Sequence, residues 1–217
     1  MLSWAVVLLA LTMVAMATSP RRTALLDDAE VLATRDDSYR LPETIVPVHY
    51  DLQLHPNLEG DFRFNGTVAI TLRADHPTVN ITFHTSDIDV VEDSVSVTAI
   101  SKAESALKVT AQTGDEERSF YTVTLDSPLA AKEEYILKMD YHGYHRTTTR
   151  GFYRSSYLDR NNNTVWLATT HFEPIGARKA FPCFDEPALK ATFNISIAAP
   201  KGLHAISNMP ASSTELE

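Results

Sequence analysis

Hydrophobic residues in this chain recur at every second position in one short run after another, a period that fits strands with one buried face and no helix. Between residues 46 and 54, Val46, Val48, Tyr50, Leu52 and Leu54 share one phase, and His49, Asp51 and Gln53 take the other. The next run puts Phe62, Phe64, Val68, Ile70 and Leu72 inward and Arg63, Asn65, Thr67 and Thr71 outward. Gly66 falls in an inward slot, where a bulge or a close backbone contact is expected. Shorter alternations follow at Val79-Ile81-Phe83, Val95-Val97, Leu107-Val109, Tyr121-Val123-Leu125 and Tyr135-Leu137-Met139-Tyr141. Many short strands without helical stripes between them predict an all-β fold, with antiparallel sheets packed face to face as a β-sandwich or saddle.

After Gly151 the alternation resumes from Thr164 to Thr170, breaks from Glu173 to Pro187, and returns at Phe193-Ile195-Ile197. The break is too long for a tight hairpin and is rich in aromatics and proline, so it reads as an ordered, functional loop. A short helical turn is expected at Pro187 to Lys190, with Pro187 supplying the fixed φ of a first helical position.

Composition narrows the function. With 217 residues, 44% hydrophobic and 22% charged, the chain is sized for one globular core. A net charge of -9 with scattered basic residues excludes a nucleic-acid partner, which needs a clustered Lys/Arg surface. The apolar run Trp4 to Ala17 ends in Ala15-Met16-Ala17 and is shorter than the ~20 residues that cross a bilayer, so residues 1–17 read as a cleaved signal peptide. Residues 18–38 are polar and aperiodic and read as a flexible linker, with the ordered domain running from 39 to 217. Acceptor triplets at Asn65, Asn80, Asn162 and Asn194 mark glycosylation candidates and support a secreted protein or one on the extracellular face of the plasma membrane. The lone Cys183 forms no internal disulfide and reads as a small buried hydrophobe.

The stretch Ala168 to Phe193, ATTHFEPIGARKAFPCFDEPALKATF, resembles the amino-terminal domain of the aminopeptidase N family of gluzincin zinc exopeptidases. Tyr39-Arg40-Leu41-Pro42, Pro47-Val48-His49-Tyr50-Asp51-Leu52, the Phe64-Asn65-Gly66-Thr67-Val68 strand and Gly151-Phe152-Tyr153 support it in the family's order. The resemblance implies the family's saddle-like β domain, here expected to stop before its last strands. It also implies an enzyme that removes amino-terminal residues from peptides by a zinc-bound water, on an HExxH helix assisted by a Gly-x-Met-Glu-Asn strand. Neither motif occurs in this chain. No cofactor is therefore expected here, zinc belongs to the full-length enzyme, and the chain alone is expected to be inactive. His142 and His145 read as surface residues, because they follow a strand rather than lie on a zinc-binding helix.

By the same resemblance, Glu173 stands where the family holds the amino terminus of its substrate, and His171 lines the same subsite where relatives often carry Gln. A fixed carboxylate grips an α-ammonium through a charge-assisted hydrogen bond that an internal amide cannot return. The Glu173-Pro174 bond is expected in the cis form, and Phe181 to Pro187 as a scaffold whose aromatics bury the loop and whose acids satisfy N–H groups or Arg178. The implied partners are a peptide amino terminus and the missing catalytic domain of the same enzyme, with membrane attachment only through a longer form. An alternative from another class is a non-catalytic secreted module that binds peptide or protein through the same β domain. An adhesion sandwich of immunoglobulin type lacks its Cys–Trp–Cys core.

Overall fold

A computed structural model of the chain describes residues 39–101 and 105–215. The expected signal peptide at 1–17 and linker at 18–38 lie outside the described residues. Contacts group the chain into Met1–Arg40 and Leu41–Glu217, and every element below belongs to the second unit.

The largest sheet has seven strands. β1 (Ile45–Pro56), β2 (Arg63–Ala74) and β9 (Glu134–Tyr144) form its centre, and β5 (Ser96–Ala99) with β6 (Ser105–Leu107) continue it on one side. β12 (Thr192–Ile197) closes the other side, and β4 (Ile88–Val90) pairs with the far end of β9. A second sheet orders β3 (Thr78–His84), β8 (Phe120–Leu129) and β7 (Val109–Asp115), and β10 (Gly151–Leu158) with β11 (Thr164–His171) makes a separate hairpin. The buried rows of the first two sheets share one core: Tyr50, Val68, Ile70, Leu137 and Met139 from the large sheet, Ile81, Phe83, Val123 and Leu125 from the small one.

The expected all-β sandwich is present, with local departures. β12 runs parallel to β1, so the large sheet is mixed, because the long loop after β11 returns the chain alongside β1 in the same sense. Within β1 an extra residue intervenes between Pro47 and His49. Ile45 and Pro47 therefore take the buried phase that Val46 and Val48 were expected to hold, and Tyr50, Leu52 and Leu54 regain it after the bulge. A similar shift between Thr78 and Asn80 leaves Val79 exposed. Phe62 precedes β2 with a φ of 56° and packs against Trp166, ring centroids 4.9 Å apart, outside the inward row. Gly66 answers to close contact: the register is unbroken across it, and a Cβ there would fall into the Tyr141 ring. Pro187 and Ala188 form a turn rather than a helix.

His145 is not a surface residue. It continues the inward phase of Tyr141 and Gly143 past the end of β9, is 2% exposed, and sits between the rings of Phe64 and Phe152 at 5.0 and 4.4 Å. His142, on the outward phase, is half-buried with Nε2 3.3 Å from the Asp89 carboxylate.

Candidate functional site

β11 ends at His171, opposite Gly151 at the start of β10. Immediately afterwards the backbone folds on itself: the Gly176 N–H donates to the Phe172 carbonyl at 2.5 Å, enclosing Glu173, Pro174 and Ile175. The Glu173-Pro174 bond is cis, as expected. Only glycine fits at 176, since a Cβ would strike the His171 carbonyl and lie 2.9 Å from the Phe172 Cα. Gly151, with φ 71°, lets the start of β10 lie against the 3-10 turn Ala177–Lys179, where a Cβ would come 2.5 Å from that of Lys179.

That turn is fastened from two sides. Arg178 Nε donates to Asp185 Oδ2 at 2.9 Å, and its terminal nitrogen donates to the Asp185 carbonyl at 3.3 Å. Both side chains are nearly enclosed, at 11% and 14% exposure. On the other side the Ser86 N–H donates to the Arg178 carbonyl at 2.9 Å, and the Lys179 ammonium pairs with Asp87. The bond from Lys179 holds the Asp87 carboxyl below its ordinary range.

Phe181 to Pro187 locks the loop to the core in the scaffold role expected of it. Phe181, Cys183 and Phe184 are buried. Cys183 exchanges two backbone hydrogen bonds with His84, at 2.8 and 3.1 Å. The Asp185 N–H donates to His84 Nδ1 at 3.2 Å, which places the ring proton on Nε2. Burial lowers the His84 pKa from 6.5 to about 3, and Arg178 adds to the effect, so this imidazole is neutral. Tyr50 accepts the Phe184 N–H on its hydroxyl at 3.0 Å and stacks on Phe193 at 4.6 Å. Glu186 accepts the Leu41 N–H at 2.6 Å. Burial drives the Cys183 thiol well above its ordinary pKa, which disfavours the reactive thiolate.

Glu173 is thus carried on a short, braced turn. Its side chain is exposed, and its carboxylate has no hydrogen-bond or ion-pair partner among the described residues. His171, also exposed, donates from Nδ1 to the Thr149 carbonyl at 2.9 Å, which fixes the ring and leaves Nε2 toward solvent. Apolar surface flanks the carboxylate: Phe172 is 36% and Ile175 48% exposed. The alternating pattern had no means of finding that pair, because both lie in the irregular loop. Among the described residues, no three of His, Cys, Asp and Glu gather in a group that could hold a metal ion.

Residues 46–217 match the profile of the Peptidase M1 N-terminal domain. The chain is 39% identical over 194 residues to the membrane alanyl aminopeptidase of Manduca sexta, covering 83% of the chain and 19% of that protein. It is 38% identical over 172 residues to human endoplasmic reticulum aminopeptidase 1, 79% of the chain and 18% of the relative. Identity to aminopeptidase M1 of Arabidopsis thaliana is 41% over 173 residues, 79% of the chain and 19% of the relative. The chain spans about a fifth of the length of the relatives it matches.

Proposed function

This chain belongs to the peptidase M1 family of aminopeptidases as an amino-terminal domain, and from that we propose that it recognises the free amino terminus of a peptide for a secreted or cell-surface zinc aminopeptidase. Glu173 grips the α-ammonium, and His171 borders the first side chain. The reading rests on one observation: an exposed carboxylate without a partner among the described residues, held on a turn that the core braces. An unpaired carboxylate on a stiff support loses little entropy when a cation arrives, and an internal amide offers no charge in return.

Zinc, which the family resemblance implies, would activate the attacking water when bound. The residues described here do not fit it: His145 lies between phenylalanines, Cys183 is enclosed, and no ligand group assembles. Hydrolysis is accordingly assigned to another region of the enzyme, and this domain supplies binding and orientation. Extracellular delivery rests on the signal-peptide reading of residues 1–17, and membrane attachment is assigned to a longer form.

A graft tests the proposal. Residues 46–217 replace the matching domain of the Arabidopsis relative, and turnover of an amino-acid anilide is followed. Losing a charge-assisted hydrogen bond worth ~1.5–3 kcal/mol, Glu173→Ala should raise KM about 10- to 100-fold with a smaller effect on kcat. His171→Gln should alter preference among first side chains while leaving the need for a free amine. An active graft whose KM ignores Glu173→Ala refutes the role given to this carboxylate.

A further inference from the structure

The four Asn-x-Ser/Thr triplets are separated by the fold in an informative way. Asn65 on β2 and Asn194 on β12 are both exposed and project from the same outer face of the large sheet, since Asn65 is aligned with His55 and Asn194 with Asp51 on the strand between them. Residues of the same phase, including Asp51, Gln53, His55, Lys138 and Asp140, give that face a polar, solvent-exposed surface. Two strand spacings across and four residues along put the two asparagines about 16 Å apart. Asn80 is exposed on β3, where its Oδ1 accepts from Thr124 at 2.9 Å and its Nδ2 stays available. Asn162 sits exposed at the tip of the β10–β11 hairpin with φ 65°. The Asn194 Nδ2 uses one hydrogen toward Asp51 at 3.1 Å and keeps the other.

We propose that these four asparagines carry N-linked oligosaccharides, and that Asn65 and Asn194 together make the outer face of the large sheet a glycan-bearing solvent face closed to protein contacts. In each transfer the Asn Nδ2 forms a bond to the anomeric carbon of a lipid-diphosphate-linked oligosaccharide. The bond from that carbon to the diphosphate oxygen breaks, the lipid diphosphate leaves, and Nδ2 loses a proton. No acceptor triplet lies between His171 and Lys190, so the loop bearing Glu173 carries no oligosaccharide of its own. The inference rests on delivery of the chain to the secretory lumen, part of the function proposed above.

The full chain translated with microsomes should shift in four steps on gels, all reversed by a peptide-N-glycosidase. Each of Asn65→Gln, Asn80→Gln, Asn162→Gln and Asn194→Gln should remove one step. Thr67→Ser should keep the Asn65 step and Thr67→Val should remove it, which separates loss of the acceptor from a folding failure. A second arm replaces residues 1–17 with a foreign cleavable leader. Shifts seen only in that arm would uphold the acceptor sites and overturn the delivery reading; absence of the Asn65 or Asn194 step there would overturn this inference. Secreted product should release both of those glycans without denaturant, and a need for denaturant would refute the solvent face.

Discussion

His145 ties the stability of this domain to pH. Neither ring nitrogen has a hydrogen-bond partner, and the ring lies between Phe64 and Phe152. Burial lowers its pKa from 6.5 to about 4, with the Arg154 guanidinium acting in the same direction; a contact with the Phe152 backbone opposes the shift but falls short of hydrogen-bond geometry. The unfolded chain therefore binds a proton in the window between pH 6.5 and 4 that the folded chain refuses, so stability rises with pH across that window and is lost on acidification. One such histidine costs about 2 kcal/mol between pH 7.5 and 5, and His84, lowered from 6.5 to about 3, adds a similar amount for about 4 in all. His145→Phe removes one of the two titrations and leaves an aromatic ring in place. Urea unfolding, followed by near-ultraviolet circular dichroism at pH 7.5 and 5, should show the loss of stability on acidification reduced by about half in the variant. The slope is the readout, since it is insensitive to any change in packing that shifts both pH values equally. If His145→Phe retains the full slope, the ring is not the buried neutral group the structure presents.

Two structural substitutions test the frame around the site. Arg178→Ala strands Asp185 in a nearly enclosed position and should cost ~3–5 kcal/mol in urea unfolding, whereas Arg178→Ala with Asp185→Ala should recover part of it; equal losses would mean the pair is effectively solvated. Gly66→Ala drives a methyl into the Tyr141 ring and should cost ~1–3 kcal/mol, and Tyr141→Leu in the same chain should relieve it. A Gly66→Ala protein as stable as the parent would contradict the close approach of β2 and β9.

Strands whose alternation is uninterrupted were legible from the sequence: Tyr135, Leu137, Met139 and Tyr141 all lie in the core as read. Bulges were not, because alternation gives phase only relative to its own start; the extra residue between Pro47 and His49 reverses that phase for Ile45 to Val48. β10 went unread because Gly-Phe-Tyr-Arg-Ser-Ser-Tyr-Leu buries only its first two residues and shows no clean period. His145 held a readable signal in continuing the phase of Tyr141 and Gly143, but its place just after the strand, off any zinc-binding helix, reads as surface. The parallel pairing of β12 depends on where a long loop delivers the chain, information that no local pattern carries.

The loop at Glu173 was located through its resemblance to a family, yet what positions that carboxylate is a set of contacts remote in sequence. Its turn leans on Arg178, which is held by Asp185; Asp185 donates its N–H to His84, and His84 is bonded through Cys183 to the aromatic layer of Phe181, Tyr50 and Phe193. The Arg178–Asp185 pair closes the loop on itself, and the remaining links join it to β1, β3 and β12, so the sheets as well as the loop fix the position of the carboxylate. Misplacement by about 1 Å is enough to lose most of a charge-assisted hydrogen bond's directionality. It follows that loss of amine recognition need not implicate Glu173 itself. A weakened brace such as Arg178→Ala would raise KM while leaving the carboxylate intact, and is distinguished from Glu173→Ala because it lowers stability as well.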